Sequence, residues 1–559
     1  MGILLKSLIG IKGKVLKNSL DKATKKPYTI QKNYLLKILE KNINTEYGKK
    51  YNFAKIYDEK DFQKNIPINQ FNDLEPYIER IKNGHKNILT STSPFMFNLT
   101  SGTSDKPKFI PITAEAQKLT ANLMHQWLYR TLLDHPAFLD NSNFCIAGPA
   151  IEGYAPSGIP YGCASGMIYK SLPRLLHSSY VLPVIISNIK NYDLRYYIMA
   201  RLALEKEISF IATPNPTTLI RIAEIGIQYQ EEIIRSIHNG LVSGQLNFER
   251  NENDSNIIDL LKASLRPNLS RAKFLSNVIK NNGGLLPYCC WPALKLIACW
   301  LGGSIGFQAD KLTAYYGKNV PRRDIGYFAS EGCITLPFKD YTSSGILALQ
   351  NNYYEFIPEN QIDEENPQIL LSHELESGKR YKIILTNENG LYRYDINDIV
   401  QVEEFYNQAP VLAFIRKSND ILNITGEKLH VNHLIITFQK IESKFNIKIN
   451  QFRAVSNFEK VRYDIFLDIK SKISEEFLKK TFLPSVDKFL SEVNIEYNNK
   501  RKSKRLNPPC LHIMDSDWEE CIRSQFIKSG KRDIQYKWYM ISPTFFDLDK
   551  EHIQYTIEM

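Results

Sequence analysis

The sequence has no apolar run long enough to cross a membrane, which takes about 20 residues. The nearest approach, Trp291 to Phe307, is broken by Lys295 and by Gly302-Gly303-Ser304. Integral membrane association is therefore not expected. A secretory leader is not expected either, because Lys12 and Lys14 interrupt the first apolar stretch too early. A myristoylation signal would want Ser or Thr where Lys6 stands. The eight cysteines form no Cys-x-x-Cys, and most stand in apolar runs such as Cys289-Cys290-Trp291 and Cys299-Trp300. They read as buried thiols in a reducing, cytoplasmic setting rather than as a disulfide framework. His430-x-x-His433 has helical spacing but no companion ligands in sequence, so zinc is not expected there. There is no internal repeat, no Gly-Lys-(Ser/Thr) of a Walker loop and no nucleic-acid motif.

What is present is the composition of a folded globular chain. Of 559 residues, 43% are apolar and 23% charged, which excludes a wholly disordered or fibrous protein. The net charge is +11, unevenly placed. Lys6, Lys12, Lys14, Lys17, Lys22, Lys25 and Lys26 face Asp21 alone, and a second cluster runs Lys500, Arg501, Lys502, Lys504, Arg505. Without interleaved aromatics these read as solvated faces, with no nucleic acid partner. Ile3, Leu4, Leu8, Ile11, Val15 and Leu16 give the N-terminus the pattern of a basic amphipathic helix that packs on the body of the protein.

Helical patterns over 29–49 and 114–134 alternate with strand-like runs at Phe144–Ala147, Ile208–Ala212, Tyr381–Thr386 and Val411–Ile415. That alternation predicts α/β layering. A polar turn, Lys417-Ser418-Asn419-Asp420, follows Phe414-Ile415-Arg416 and predicts a boundary. The expected organisation is a large domain over 1–415 and a smaller α+β domain over 416–559, with 497–509 as a polar loop.

Three stretches carry chemistry. Thr100-Ser101-Gly102-Thr103-Ser104 sets hydroxyls around one glycine, followed by Lys106 and Lys108. Small residues let the backbone approach a polyphosphate, hydroxyls and N–H groups donate to its oxygens, and lysines neutralise it. Tyr327-Phe328-Ala329-Ser330-Glu331 sets a ring beside a hydroxyl and a carboxylate. The ring suits a base, and the carboxylate suits Mg²⁺. Tyr392-Arg393-Tyr394-Asp395-Ile396-Asn397-Asp398 presents carboxylates able to accept from a ribose diol. A rival pattern, Gly302-Gly303-Ser304-Ile305-Gly306, fits a hydrolase nucleophile elbow, but no downstream histidine stands in a matching context.

In order and spacing these stretches resemble the adenylate-forming enzymes. The closer resemblance is to one branch, the acyl acid–amido synthetases of the auxin- and jasmonate-conjugating Gretchen Hagen family. That flavour lies in Lys108-Phe109-Ile110-Pro111, Tyr354-Glu355-Phe356-Ile357-Pro358, Asn423-Ile424-Thr425-Gly426-Glu427-Lys428-Leu429 and Gln535-Tyr536-Lys537. The resemblance implies a large multi-layer α/β adenylation domain with a small mobile C-terminal domain. It implies ATP and Mg²⁺ at their junction. By motif position, Thr100 to Ser104 and Lys108 would cradle phosphates, and Ser304 and Tyr327 would lie near the adenine. Ser330 would lie near the α-phosphate and Glu331 at the metal; Asp398 would hold the ribose. Arg416 would sit at the hinge, and Lys428 and Lys537 would reach phosphate. Two departures stand in the third motif, Asp395 for Arg and Asn397 for Gly; Asn tolerates positive φ, so the turn is expected to survive. The family's final Arg is also absent after Gln535-Tyr536-Lys537.

The implied activity is ATP-dependent conjugation of a small carboxylic acid to an amino acid by a monomeric enzyme. The rivals are an acyl-CoA ligase of the same superfamily and a nucleotide-binding regulator with degraded chemistry.

Overall fold

The structure is a computed structural model that describes residues 2–100, 108–170, 179–242, 248, 251–418, 420–425, 427–470, 473–529, 536–542 and 544–559. The chain divides into two compact units, Met1–Phe414 and Ile415–Met559.

The first unit is mixed α/β with three main sheets. In one, β1 (Met96–Thr100) pairs antiparallel with β2 (Lys108–Ile112) and parallel with β5 (Pro160–Gly162), which pairs with β4 (Gly153–Tyr154). The second is parallel throughout: β3 (Ser142–Cys145), β6 (Ile208–Ala212), β7 (Leu296–Ala298) and β8 (Arg322–Arg323). Runs such as Ile208-Ser209-Phe210-Ile211 are buried on both faces, as a helix-covered parallel sheet requires. A short hairpin joins β9 (Phe328–Ala329) to β10 (Gly332–Cys333). The third sheet has seven strands in the order β11-β12-β17-β16-β15-β13-β14. They are β11 (Thr335–Pro337), β12 (Gly345–Leu347), β13 (Tyr353–Pro358), β14 (Leu370–Leu371), β15 (Arg380–Thr386), β16 (Tyr394–Tyr406) and β17 (Ala409–Lys417). Ile383, Leu385, Val400 and Val411 make its core.

In the second unit a hairpin of β18 (Ile421–Leu422) and β19 (Leu429–His430) precedes a five-stranded sheet in the order β23-β20-β21-β22-β24. Its strands are β20 (Ile449–Asn457), β21 (Arg462–Ile469), β22 (Cys510–Met514), β23 (Ile541–Ser542) and β24 (Ile553–Ile557). His433 Nδ1 accepts from the His430 N–H and lies 3.1 Å from Asn494 Nδ2, so this pair caps the helix Val431–Phe445.

Three local expectations are refined. The helix expected over 29–49 is two helices, Pro27–Lys41 and Glu46–Lys50. Thr45 interrupts them, because its hydroxyl accepts the Gly48 N–H and opens a new N-terminus. The polar loop expected over 497–509 begins as the helix Ile495–Lys502, which Asn494 caps through the Tyr497 N–H. The N-terminal helix Gly2–Ala23 packs on the helix Ala114–Asp134, but through Leu5, Ile9 and Leu20 and not through Leu8, Ile11 and Val15 of the expected apolar face. The close approach requires Gly13, since a Cβ there would stand 2.3 Å from the Tyr129 side chain. Its outer face leaves Leu8, Ile11 and Val15 exposed. Among the described residues no helix is long and apolar enough to cross a membrane.

Candidate active site

Ser330 and Glu331 are the two loop residues of the β9–β10 hairpin, because Ala329 pairs with Gly332. Buried asparagines from distant parts of the chain hold both of their main-chain carbonyls. Asn98 Nδ2 donates to the Ser330 oxygen at 3.2 Å, and Asn387 Nδ2 donates to the Glu331 oxygen at 2.8 Å. Gly332 is required by the same packing, since a Cβ there would lie 2.8 Å from Asn352 Oδ1. The loop is thus anchored through its backbone, and its two half-buried side chains are presented from a fixed base.

Tyr327, at the start of this hairpin, donates its hydroxyl to Asp398 Oδ2 on β16. Asp398 is buried, and the Tyr327 ring packs on Phe414 with centroids 5.4 Å apart. Burial pushes the Tyr327 hydroxyl well above its ordinary value, and the carboxylates of Asp398 and Glu331 add to the shift. Tyr394 is raised by burial and then by Glu331, Asp395 and Asp398. Both phenols therefore stay neutral donors among carboxylates. The second and third sequence motifs meet here, and Asn98 ties in the strand that leads to the first.

The third motif turns as expected. Asn397 has φ of 62°, and its N–H donates to Asp395 Oδ1 at 2.7 Å. Asp395 also pairs with Lys382 on β15 at 2.6 Å, so this departure from the family pattern is satisfied locally. Replacement Asn397→Gly removes a left-handed strain and keeps the backbone donor. It should change stability by no more than about 1 kcal/mol and leave turnover unimpaired. Denaturant unfolding beside a steady-state assay checks this; a collapse of stability would assign the Asn side chain a bond of its own.

Tyr354-Glu355-Phe356 and Tyr392-Arg393 prove to be one structural device. Arg393 Nε is 2.9 Å from Glu355 Oε2, both side chains are buried, and Arg393 also donates to the carbonyls of Gln63 and Ile66.

Of the first motif, Thr100 and Lys108 are ladder partners that close the β1–β2 pair. Lys108 Nζ lies 5.2 Å from the Phe71 ring centroid. Ser101, Gly102, Thr103 and Ser104 lie outside the described residues. Ser304 stands in the first turn of the helix Gly303–Tyr316, directly after β7 and its connecting loop. Asp324 organises that loop and was not singled out from the sequence. Its two oxygens accept from Leu301 N at 2.7 Å and Gly326 N at 2.6 Å, joining the glycine-rich turn to the residue before Tyr327. Burial pushes its carboxyl up to about 7 against the pull of those two N–H groups. A strand-end aspartate three residues before the tyrosine was the available signal.

In the second unit, Arg416 is buried and donates to the carbonyls of Lys417 and Ser418. Lys428 is exposed. Its loop is pinned by buried Glu427, which accepts from Ile424 N, Thr425 N and Thr425 Oγ1 at 3.0, 3.0 and 2.6 Å and from the Tyr463 hydroxyl. Burial would raise Glu427, but these donors outweigh it and hold the carboxyl below its ordinary value. Asn494 Nδ2 fixes the Lys428 carbonyl at 2.9 Å. Lys537 is exposed too, beside Trp538, whose indole donates to the Phe452 carbonyl at 2.7 Å.

The chain matches the GH3 family N-terminal domain over residues 16–321, the central domain over 345–417 and the C-terminal domain over 431–544. Jasmonoyl–L-amino acid synthetase GH3.5 of Oryza sativa subsp. japonica is 26% identical over 562 aligned positions, 93% of each chain. The 4-substituted benzoates-glutamate ligase GH3.12 of Arabidopsis thaliana is 25% identical, over 91% of this chain and 92% of that protein. Among solved structures, GH3.15 acyl acid amido synthetase shares the fold with a TM-score of 0.82 over 97% of this chain and 96% of that one, at 18% identity.

Proposed function

This chain belongs to the GH3 family, and from that premise we propose that it is an ATP-dependent acyl acid–amido synthetase, joining a small carboxylic acid to the amine of an amino acid. The observation that carries the reading is the Ser330–Glu331 loop, pinned by its backbone beside the Tyr327–Asp398 bond. It needs no protein nucleophile, and the proposed chemistry needs none.

A carboxylate acylates poorly because oxide is its leaving group. Its oxygen attacks the α-phosphorus of ATP, the bond to the bridging oxygen breaks, and pyrophosphate departs. The amine of the second substrate then attacks the acyl carbon of the adenylate; AMP leaves, the amine loses a proton, and an amide remains. Such a pathway rests on positioning and charge neutralisation. In this reading Thr100 to Ser104 and Lys108 hold the phosphates, and Ser304 and Tyr327 border the adenine. Ser330 donates to the α-phosphate, and Asp398 accepts from the ribose. Lys428 and Lys537, exposed on the second unit, neutralise phosphate, and Arg416 marks the hinge of a mobile small domain. The carboxylate of Glu331 offers the hard oxygen donors that Mg²⁺ takes, so the residue fits that ion. Bound there, Mg²⁺ would neutralise charge on the phosphates. The enzyme works as a monomer in the cytoplasm, a setting its eight free thiols support.

The test begins with the acids that trigger ATP–pyrophosphate exchange. An accepted acid is then incubated with enzyme, ATP, Mg²⁺ and either a pool of amino acids or CoA, and the product is identified by mass. An amide with the amino acids and no thioester is expected. A thioester with no amide would overturn the synthetase reading and leave a general adenylate-forming one.

A further inference from the structure

On the sheet of the second unit, three metal-ligating side chains of different types converge. Asp464 on β21 and Cys510 on β22 are direct partners in a parallel ladder. His512 stands two residues beyond Cys510 and shares its face, because side chains alternate along a strand. One ligand atom from each of Asp464, Cys510 and His512 lies within 4.8 Å of the other two. His512 Nε2 is 3.8 Å from the sulfur and 3.8 Å from the carboxylate oxygen. The N···O separation is too long for a direct hydrogen bond. It is close to the separation between ligands of one tetrahedral cation: bonds of about 2.1 Å to N or O and about 2.3 Å to S put ligand atoms about 3.4–3.6 Å apart.

The neighbours orient each donor. His512 Nδ1 lies 2.8 Å from Thr556 Oγ1. A proton on Nδ1, assigned from this contact, leaves the Nε2 lone pair facing the thiol and the carboxylate. Arg462 Nε holds Asp464 Oδ1 at 2.8 Å, and Asn457 Nδ2 donates to Oδ2 at 2.7 Å. Oδ2 keeps a second lone pair. Glu558 Oε1 lies 3.9 Å from the sulfur and 2.7 Å from Arg462, placing a second carboxylate at the edge of the group. Asp464 and Cys510 are buried, and the His512 side chain is 12% exposed, which leaves a narrow approach from solvent.

We propose that Asp464, Cys510 and His512 form a structural site for a zinc-type divalent cation, with Glu558 or a water as the fourth ligand. One carboxylate, one imidazole and one thiolate make a borderline-soft donor set, which suits Zn²⁺ and not Mg²⁺. Binding releases the Cys510 thiol proton to solvent as the S–metal bond forms. The bound ion cross-links β21 and β22 and stiffens the sheet edge next to β24. The competing reading is a hydrogen-bond network in which Arg462 bridges both carboxylates, with Asn457 donating to Asp464 and Lys460 pairing with Glu558.

The full-length chain, stripped with a chelator, is titrated with Zn²⁺ and separately with Co²⁺. Stoichiometric binding is expected, with a thiolate-to-cobalt charge-transfer band and a thermal midpoint that rises on adding Zn²⁺ and falls on chelation. Cys510→Ser should abolish the band. Thr556→Val, which touches no ligand atom, should weaken binding about 10- to 100-fold. The proposal fails if the unaltered protein shows no charge-transfer band, or if Cys510→Ser binds Zn²⁺ as the parent does. If Cys510→Ser does not fold, the cobalt spectrum of the parent and the Thr556→Val affinity decide the matter.

Discussion

Glu331→Ala should lower acid-dependent ATP–pyrophosphate exchange by about 10²–10³-fold, the scale of losing one charge-positioning group at a reacting centre. The fold should survive. The hairpin is anchored at the Ser330 and Glu331 carbonyls by Asn98 and Asn387, and alanine keeps both acceptors. The thermal midpoint should therefore stay within a few degrees of the parent's. A structural role for the side chain would reverse this, with stability falling and exchange little changed. Glu331→Asp supplies a further readout: a carboxylate set back by one methylene should raise the Mg²⁺ concentration needed for half-maximal exchange. A variant exchanging normally at every Mg²⁺ concentration removes Glu331 from the metal site.

The second large effect is on stability. Arg393→Met leaves Glu355 charged and buried on β13 with its partner gone. Breaking a buried ion pair from one side costs about 3–5 kcal/mol, because the remaining charge is uncompensated. The carbonyls of Gln63 and Ile66 lose a donor as well, at about 1 kcal/mol each. Arg393→Met combined with Glu355→Leu should recover most of the charge penalty and leave the carbonyl loss. Denaturant unfolding of parent, single and double variants checks the cycle. A double variant as unstable as Arg393→Met would mean that the carbonyl bonds, not the ion pair, dominate.

The pair also explains why two stretches read as family signatures. Tyr354-Glu355-Phe356-Ile357-Pro358 and Tyr392-Arg393 look like parts of a site, yet their charged members face each other in the core, not a ligand. Glu427 is similar: in sequence it stands beside the candidate Lys428 in a family-like stretch, and in the fold it ties the loop that exposes the lysine. A charged residue carries no mark in sequence of whether its partner is a ligand or a distant strand.

Local order determined much that could be read directly. The alternation of strand and helix patterns gave the α/β class, because the periods of two and 3.6 residues are properties of neighbouring positions. The order and spacing of the hydroxyl loop, the Tyr-x-x-Ser-Glu stretch and the Asp398 strand gave the reaction class. Asn397 was legible at φ of 62° because the preference is that of a single residue. Only the tertiary structure decided which distant groups meet. Asn98 lies 232 positions from Ser330 and Asn387 lies 56 from Glu331, and nothing near either asparagine in sequence names its carbonyl. Asp324 holds two loops through backbone N–H groups that every residue but proline carries. The Asp464–Cys510–His512 group likewise exists only because a parallel ladder sets residues 46 positions apart side by side. The side-chain types are written in the chain, but burial and register, which turn a polar residue into an anchor, a ligand or an ion-pair partner, are set by long-range packing.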